Sequence, residues 1–409
     1  MTLMLKDERD FRILNFDGRF DLEEFSKTPA MSPFNDKVIE YLDALSSILR
    51  GNHEAKRFPD VATFSFYCRK SNLLQMKEKF ENGRKTKLGR GIVFHVAPSN
   101  VPVNFAYSLL AGLITGNSNI VRVPSKDFEQ VEIISDAIIQ LSKQECYSEI
   151  SKRIALVTYD RKGEATKLFS SICDVRIIWG GDGTIEEIRK NKMPARSFDI
   201  PFADRYSFCV INADEYVLDK SHEKISRGFF NDTYLMDQNA CTSPQLVIWI
   251  GEGGNVELGK EIFWNSLYKI VKEHYEIQPI IAIDKLDNFL NQVVEIEGSR
   301  LIPGVDNLLW RIEIDKLNER LDSFAGKGGY FVEYHAKNLG EISSTVSRKY
   351  QTLAYFGFTE EKMEEFVSKT FPSGIDRIVP IGRTLDFSMI WDGFNLIESL
   401  SRTVEIWGK

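Results

Sequence analysis

The chain is poor in the residues that build metal and disulfide frameworks. Its five cysteines (Cys68, Cys146, Cys173, Cys209 and Cys241) are scattered over 409 residues, with no CxxC and no Cys/His cluster. That spacing excludes a disulfide scaffold and leads us to expect no metal site. No apolar run reaches membrane length. The longest, Phe105 to Ile114, falls far short of the roughly 20 residues a spanning helix needs. An excess of basic charge is missing too: net charge is −7, with acids and bases mixed along the chain. That argues against nucleic acid or an anionic membrane as partner. The opening stretch, Met1 to Glu8, turns charged too soon for a signal peptide. Internal repeats and low-complexity linkers are absent. The expectation is a cytoplasmic protein without an integral membrane segment.

What is present is a large apolar fraction, 43% of residues, ample for two or more domains. Before residue 85 only two amphipathic helices stand out, Val38 to Leu49 and Leu73 to Phe80. From Gly91 strands and helices alternate. Ile92–Val96, Asn119–Val123, Ile154–Thr158 and Val175–Trp179 read as strands. Between and after them come helices over Asn104–Thr115, from a Ser125 cap to about Gln144, over Glu164–Ser171 and over Ile185–Lys190. Near-continuous apolar strands alternating with helices predict an α/β fold built on a doubly wound parallel sheet. Such sheets bind ligands at the carboxyl ends of their strands. Three loops fall there: Ala97–Pro102, Pro124–Lys126 and Gly180–Thr184. The last is a glycine-rich turn that opens a helix, though not a GxGxxG. Its free N–H groups suit a phosphate, and mere backbone geometry is an equal reading.

After Pro194 a second α/β domain is expected. Its strands are Tyr206–Ile211, Leu246–Ile250, Leu308–Ile314, Tyr330–Tyr334, Gln351–Phe358 and Arg377–Gly382. The boundary is placed near Ile200–Arg205. This gives domains 1–203 and 204–375, with a final segment 376–409 that packs back on the site or on an interface.

In the second domain, Met236-Asp237-Gln238-Asn239-Ala240-Cys241-Thr242-Ser243-Pro244-Gln245 puts a lone cysteine in a polar turn just before an apolar strand. Two readings fit the decapeptide by itself. Cysteine is ordinarily a small buried hydrophobe, but at the mouth of a strand its thiolate is placed to act as a nucleophile.

Several stretches together resemble one family. They are His95-Val96-Ala97-Pro98-Ser99-Asn100-Val101-Pro102, then Gly116-Asn117 through Val123-Pro124-Ser125-Lys126, then the Cys241 turn. Asp376-Arg377-Ile378-Val379-Pro380-Ile381-Gly382-Arg383 and Ile390-Trp391-Asp392-Gly393 complete the set. From about residue 85 to the end the chain is similar to the aldehyde dehydrogenase superfamily, and more closely to its acyl-CoA reductase (LuxC-like) branch. The resemblance implies a nicotinamide-binding first domain and a catalytic second domain. It implies acyl transfer from a thioester to Cys241, then reduction to an aldehyde, with the Asn100 amide and the Cys241 N–H as oxyanion donors.

It also implies that Gly181, Gly183 and Thr184 lie near the pyrophosphate and nicotinamide, and that Arg122, Pro124, Ser125 and Lys126 form the cofactor loop. Where the family's loop carries a glutamate for a ribose hydroxyl, this chain offers Arg122 and Lys126, so the expected cofactor is NADPH. The family's water-activating glutamate falls at Ile200, with Asp204 nearby, which suits a reductase that must spare its acyl group from hydrolysis. The donor would be an acyl-CoA or an acylated carrier or synthetase protein, and the protein a homo-oligomer, dimer or tetramer. Two alternatives stand beside this: an NADP-dependent aldehyde dehydrogenase, and a non-catalytic scaffold for an acyl-activating partner. His95 reads as a core histidine before an acid/base. Phe105, Tyr107 and Leu110 read as core before a channel lining.

Overall fold

The computed structural model describes residues 11–15, 20–81, 86–99 and 101–407. They form two compact units, Met1–Ala203 with Phe394–Lys409, and Asp204–Gly393. The segment 376–409 is therefore shared out, its first part belonging to the second unit and its last part to the first.

In the first unit, β1 (Ile92–Val96), β2 (Ser118–Arg122), β3 (Ile154–Thr158), β4 (Val175–Trp179) and β5 (Phe198–Phe202) run parallel in the order β3-β2-β1-β4-β5. A two-residue strand, Arg12–Ile13, closes the far edge antiparallel to β3. Every residue of β1 and β4 is buried, as expected of strands covered on both faces. The chain leaves β1 toward one edge and returns to β4 on the other side of β1. The topological switch point therefore lies between β1 and β4, and their carboxyl ends flank the crevice where such sheets take ligands.

Three details of this unit differ from the sequence pattern. The strand β5 was not legible because Pro201 interrupts it. Proline is tolerated there since β5 is an edge strand that, among the described residues, pairs with β4 alone. Ser125 does not cap a helix. That helix begins at Glu129 behind Phe128, because its apolar face starts at Val131 and a turn through polar Ser125–Asp127 would bury nothing. Finally, Thr86–Gly89 pairs with Ser401–Val404, and the Asn117 amide donates to Leu400 O at 2.9 Å, tying the chain's end into this unit. Phe105 and Leu110 are fully buried, and Tyr107 packs edge-on against Phe64 and Tyr67, so all three serve packing.

The second unit holds β6 (Tyr206–Asn212), β7 (Pro244–Ile250), β8 (Arg300–Ile302), β9 (Trp310–Glu313), β10 (Tyr330–Ala336), β11 (Tyr350–Phe356) and β12 (Arg377–Pro380), in the order β8-β9-β10-β7-β6-β11-β12. Only β8 runs antiparallel. Side chains alternate between two cores: Phe208, Val210 and Ile248 on one face, Cys209, Ile211 and Trp249 on the other. Glu333, at the centre of β10, is 1% exposed and accepts from Trp249 Nε1 (3.1 Å), Trp264 Nε1 (2.8 Å) and Arg311 Nε (2.6 Å). Those three donors meet the requirement that a buried carboxylate be bonded.

Two irregularities sit together at the amino edge of this sheet. Ser207 pairs with Pro244 but Phe208 with Leu246, so Gln245 is an extra residue. Tyr206 pairs with Tyr350 but Phe208 with Leu353, so Gln351 and Thr352 stand opposite Ser207 alone. Such bulges re-aim side chains and leave backbone groups off the ladder. Among the described residues, no helix is long and apolar enough to cross a membrane.

Candidate active site

Cys241 lies just before β7, beside the two bulges. Its turn is held by Gln238, 2% exposed. The Gln238 Nε2 donates to Pro244 O and Tyr330 O, both at 2.9 Å, and its Oε1 accepts from the N–H groups of Gly329 (3.0 Å) and Tyr330 (3.1 Å). One side chain thus satisfies four buried backbone groups. Asp237 and Gln238 both take left-handed backbone (φ 49° and 61°), a conformation that non-glycine residues adopt only where surroundings enforce it. Here the enforcers are the Gln238 bonds and the Tyr275 hydroxyl donating to Asp237 Oδ1 at 2.6 Å.

The bulges supply the next layer. Thr352 N–H, off the ladder, donates to Ser207 Oγ at 3.1 Å, and that hydroxyl donates to Cys241 O at 2.7 Å. Gln351 Nε2 reaches Cys241 Sγ at 3.4 Å and also donates to the Asp392 carboxylate. Cys241 is neither core nor surface. Burial pushes its thiol up to about 11; the Asp392 charge adds to the shift, while the Gln351 bond and the Arg205 guanidinium oppose it. Burial likewise raises the Asp392 carboxyl to about 6, against the pull of Arg205.

The family-like stretch from Asp376 onward now has contacts. Arg205 pairs with Asp376 and donates to Tyr350 O at 3.1 Å. Arg377 donates to the carbonyls of Arg383, Thr384 and Asp386, and its guanidinium covers the Trp391 ring. Asp232 accepts from Gly382 N–H and Thr384 N–H (2.6 and 3.1 Å). Asp376 and Arg377 therefore brace the loop that carries Asp392, and Asp386 pairs with Arg383.

In the first unit the expected cofactor residues share one sheet edge. Pro124, Ser125 and Lys126 follow β2, and Gly181 follows β4, beside the switch point. Gly181 is the N-cap of the helix Asp182–Arg189. Thr184 folds back against Gly180, while a side chain at Gly183 would meet open space. Ser125 and Lys126 are exposed. The Arg122 guanidinium lies over the Tyr159 ring, 4.7 Å from its centroid, and stays half-buried. A helix N-terminus at a switch point suits the phosphates of a dinucleotide. Asn100 lies outside the described residues.

His95 is fully buried in β1. Trp179 Nε1 donates to Ser108 Oγ (3.2 Å), Ser108 Oγ lies 2.7 Å from His95 Nδ1, and His95 Nε2 lies 3.0 Å from Asn119 Oδ1. The amide oxygen only accepts, so Nε2 carries the proton and Nδ1 accepts from the serine. Burial lowers the imidazole to about 4. His95 is a satisfied core residue, and its ring proton shifts are expected to stay flat from pH 9 down to 5 in an NMR titration.

A family model described as acyl-CoA reductase (LuxC) matches residues 68–403. The chain belongs to that family. It is similar to the long-chain acyl-protein thioester reductase of Aliivibrio fischeri, 24% identical over 297 residues, covering 72% of this chain and 58% of that protein. The Vibrio harveyi protein described in the same words is 23% identical over 317 residues, covering 73% and 64%. The chain thus spans about three fifths of the length of these relatives. Among solved structures it resembles aldehyde dehydrogenase 21 of Physcomitrella patens (TM-score 0.66, 12% identity, 93% of this chain and 86% of that one). It also resembles an oxidoreductase of Marinobacter aquaeolei (TM-score 0.65, 11% identity, 93% and 88%). The fold is that of the aldehyde dehydrogenases.

Sequence reasoning picked out Cys241 but missed Ser207, Gln351 and Asp392. The only signal for Gln351 and Thr352 was a polar pair opening an otherwise apolar strand. Asp392 lay in the family-like stretch without a role.

Proposed function

We propose that the protein reduces an acyl thioester, from acyl-CoA or an acylated protein, to an aldehyde through an acyl-Cys241 intermediate. The observation that carries this reading is Cys241, held by its carbonyl and its sulfur at a bulged sheet edge in a chain of the acyl-CoA reductase family. In acyl transfer the Cys241 sulfur adds to the thioester carbonyl. The new C–S bond forms, the donor's C–S bond breaks, and the Cys241 proton leaves with the donor thiol. The Cys241 N–H and, by family resemblance, the Asn100 amide stabilise the oxyanion. A nicotinamide dinucleotide, when bound, supplies the hydride. Cys241 then departs as a thiolate as the aldehyde forms, and regains a proton.

Ile200, at the place the resemblance gives to the water-activating glutamate, is fully buried and aliphatic, whereas Asp204 is exposed. A position without a base there supports reduction over hydrolysis, and so disfavours oxidation of an aldehyde to an acid. Cysteine with its bonded surroundings disfavours the scaffold. The test is NADPH consumption with acyl-CoAs of short to long chain, together with mass spectrometry of Cys241. Consumption with a Cys241-bound acyl group supports the reading. Neither consumption nor acylation, with acyl-CoA or acylated protein, overturns it.

The preference for NADPH rests on Lys126 and Arg122. Lys126→Glu should weaken NADPH roughly tenfold or more, the worth of a charge-assisted phosphate contact. NADH should be little affected. Paired KM values for the two cofactors would check this, and equal changes would rule Lys126 out.

A further inference from the structure

We infer that Gln351 is a catalytic residue that hydrogen-bonds the Cys241 sulfur, and that Asp392 is the positioning residue that aims its amide. This deepens the acyl-cysteine reading and rests on it.

The argument begins with the bulge. Because Gln351 and Thr352 together oppose Ser207, β11 slips by one residue at its amino end. One consequence is that Thr352 N–H bonds Ser207 Oγ, whose hydroxyl braces the Cys241 carbonyl. Another is that the Gln351 side chain, 2% exposed as a residue, reaches the sulfur of the same cysteine. A regular ladder would send Gln351 to the opposite face.

The amide's orientation is fixed on two sides. A carboxylate only accepts, so the atom facing Asp392 must be Nε2. Gln351 Oε1 accepts from the Thr352 hydroxyl at 3.2 Å. Nε2 carries two protons. With one engaged by Asp392, the other is left for Sγ. Such a bond favours the thiolate, both before acyl transfer and when the cysteine leaves. Asp392 is itself held in place. It takes left-handed backbone (φ 48°), next to Gly393 (φ 74°), where a side chain would collide with the Asp376 carboxylate. Asp376 is in turn anchored by Arg205. The charged groups facing the thiol are Asp392, Arg205 and Arg377, and Asp376 faces Asp392.

Asp392 thus has two opposite effects. Its charge disfavours the thiolate, while its acceptor oxygen aims the amide that favours it. Substitutions separate the two. Asp392→Asn removes the charge and keeps an oxygen acceptor; Asp392→Ala removes both.

The experiment is alkylation of the full-length protein by iodoacetamide between pH 6 and 11, with the rate at each cysteine followed by mass spectrometry. Cys146, which is exposed, serves as the internal reference. Cys173 and Cys209, which are buried, report that each variant is folded by remaining protected. Gln351→Leu should shift the Cys241 titration upward and slow its alkylation at pH 8 by about tenfold, the worth of one bond to a charged group. Gln351→Glu, which places a second carboxylate by the sulfur, should slow it further. Asp392→Asn should react faster than native, and Asp392→Ala more slowly than Asp392→Asn. A native-like Cys241 profile in folded Gln351→Leu overturns the role of Gln351. Equal profiles for Asp392→Asn and Asp392→Ala overturn the positioning by Asp392. Failure of the acyl-enzyme reading would look different, with Cys241 titrating as described but never becoming acylated.

Discussion

Cys241→Ser is expected to lower acyl-dependent NADPH oxidation by on the order of a thousandfold or more, the scale seen when a covalent catalyst loses its nucleophile. Oxygen fails at both steps. A serine hydroxyl is far less acidic than a thiol and, without a base, attacks a thioester slowly. Any ester formed is less electrophilic than a thioester, and an alkoxide leaves poorly when the aldehyde forms. The fold should survive, because the Cys241 turn is held by the Gln238 amide and by Ser207 on the Cys241 carbonyl, neither of which uses the sulfur. The measurement is initial velocity over a range of acyl-CoA concentrations, with thermal melts of both proteins. A variant keeping a tenth of native activity would exclude the acyl-cysteine route.

That division between sulfur and scaffold explains what could be read in advance. The alternation of apolar strands with helices set the α/β class, and a polar turn before the apolar run Leu246–Ile250 made Cys241 a candidate that the family resemblance then favoured. Both are local patterns. The residues that surround Cys241 are not local to it. Ser207 arrives from β6, Gln351 from β11 and Asp392 from a loop beyond β12, each through a bulge or a left-handed turn that periodicity does not encode. Pro201 hid β5 for a related reason, since only its place at a sheet edge makes a proline acceptable. Ser125 misled in the opposite direction. A good capping residue stood before an apolar helix, but the face that must be buried began later, at Val131, and burial decided the start.

Gln238→Ala is expected to destabilise the second unit by about 4 kcal/mol or more, since each buried backbone group stripped of its partner costs roughly 1–3 kcal/mol and four lose theirs. Water cannot readily repay them at a residue only 2% exposed. Alanine must also keep the left-handed backbone without the bonds that enforce it, so the turn should relax and carry Cys241 away from Ser207 and Gln351. Gln238→Glu is the sharper probe. It preserves volume and still accepts from Gly329 and Tyr330, but it turns an oxygen toward the carbonyls of Pro244 and Tyr330, which also only accept. It should therefore recover part of the loss and no more. Urea unfolding followed by tryptophan fluorescence would report the stability, since Trp249 and Trp264 are buried in this unit. Cys241 alkylation under native conditions would report the turn. The expected pattern contrasts with Gln351→Leu, which should change sulfur reactivity with little loss of stability. If Gln238→Ala unfolded at the native midpoint, the four bonds would not be what holds the Cys241 turn, and the strain at Asp237 and Gln238 would need another source.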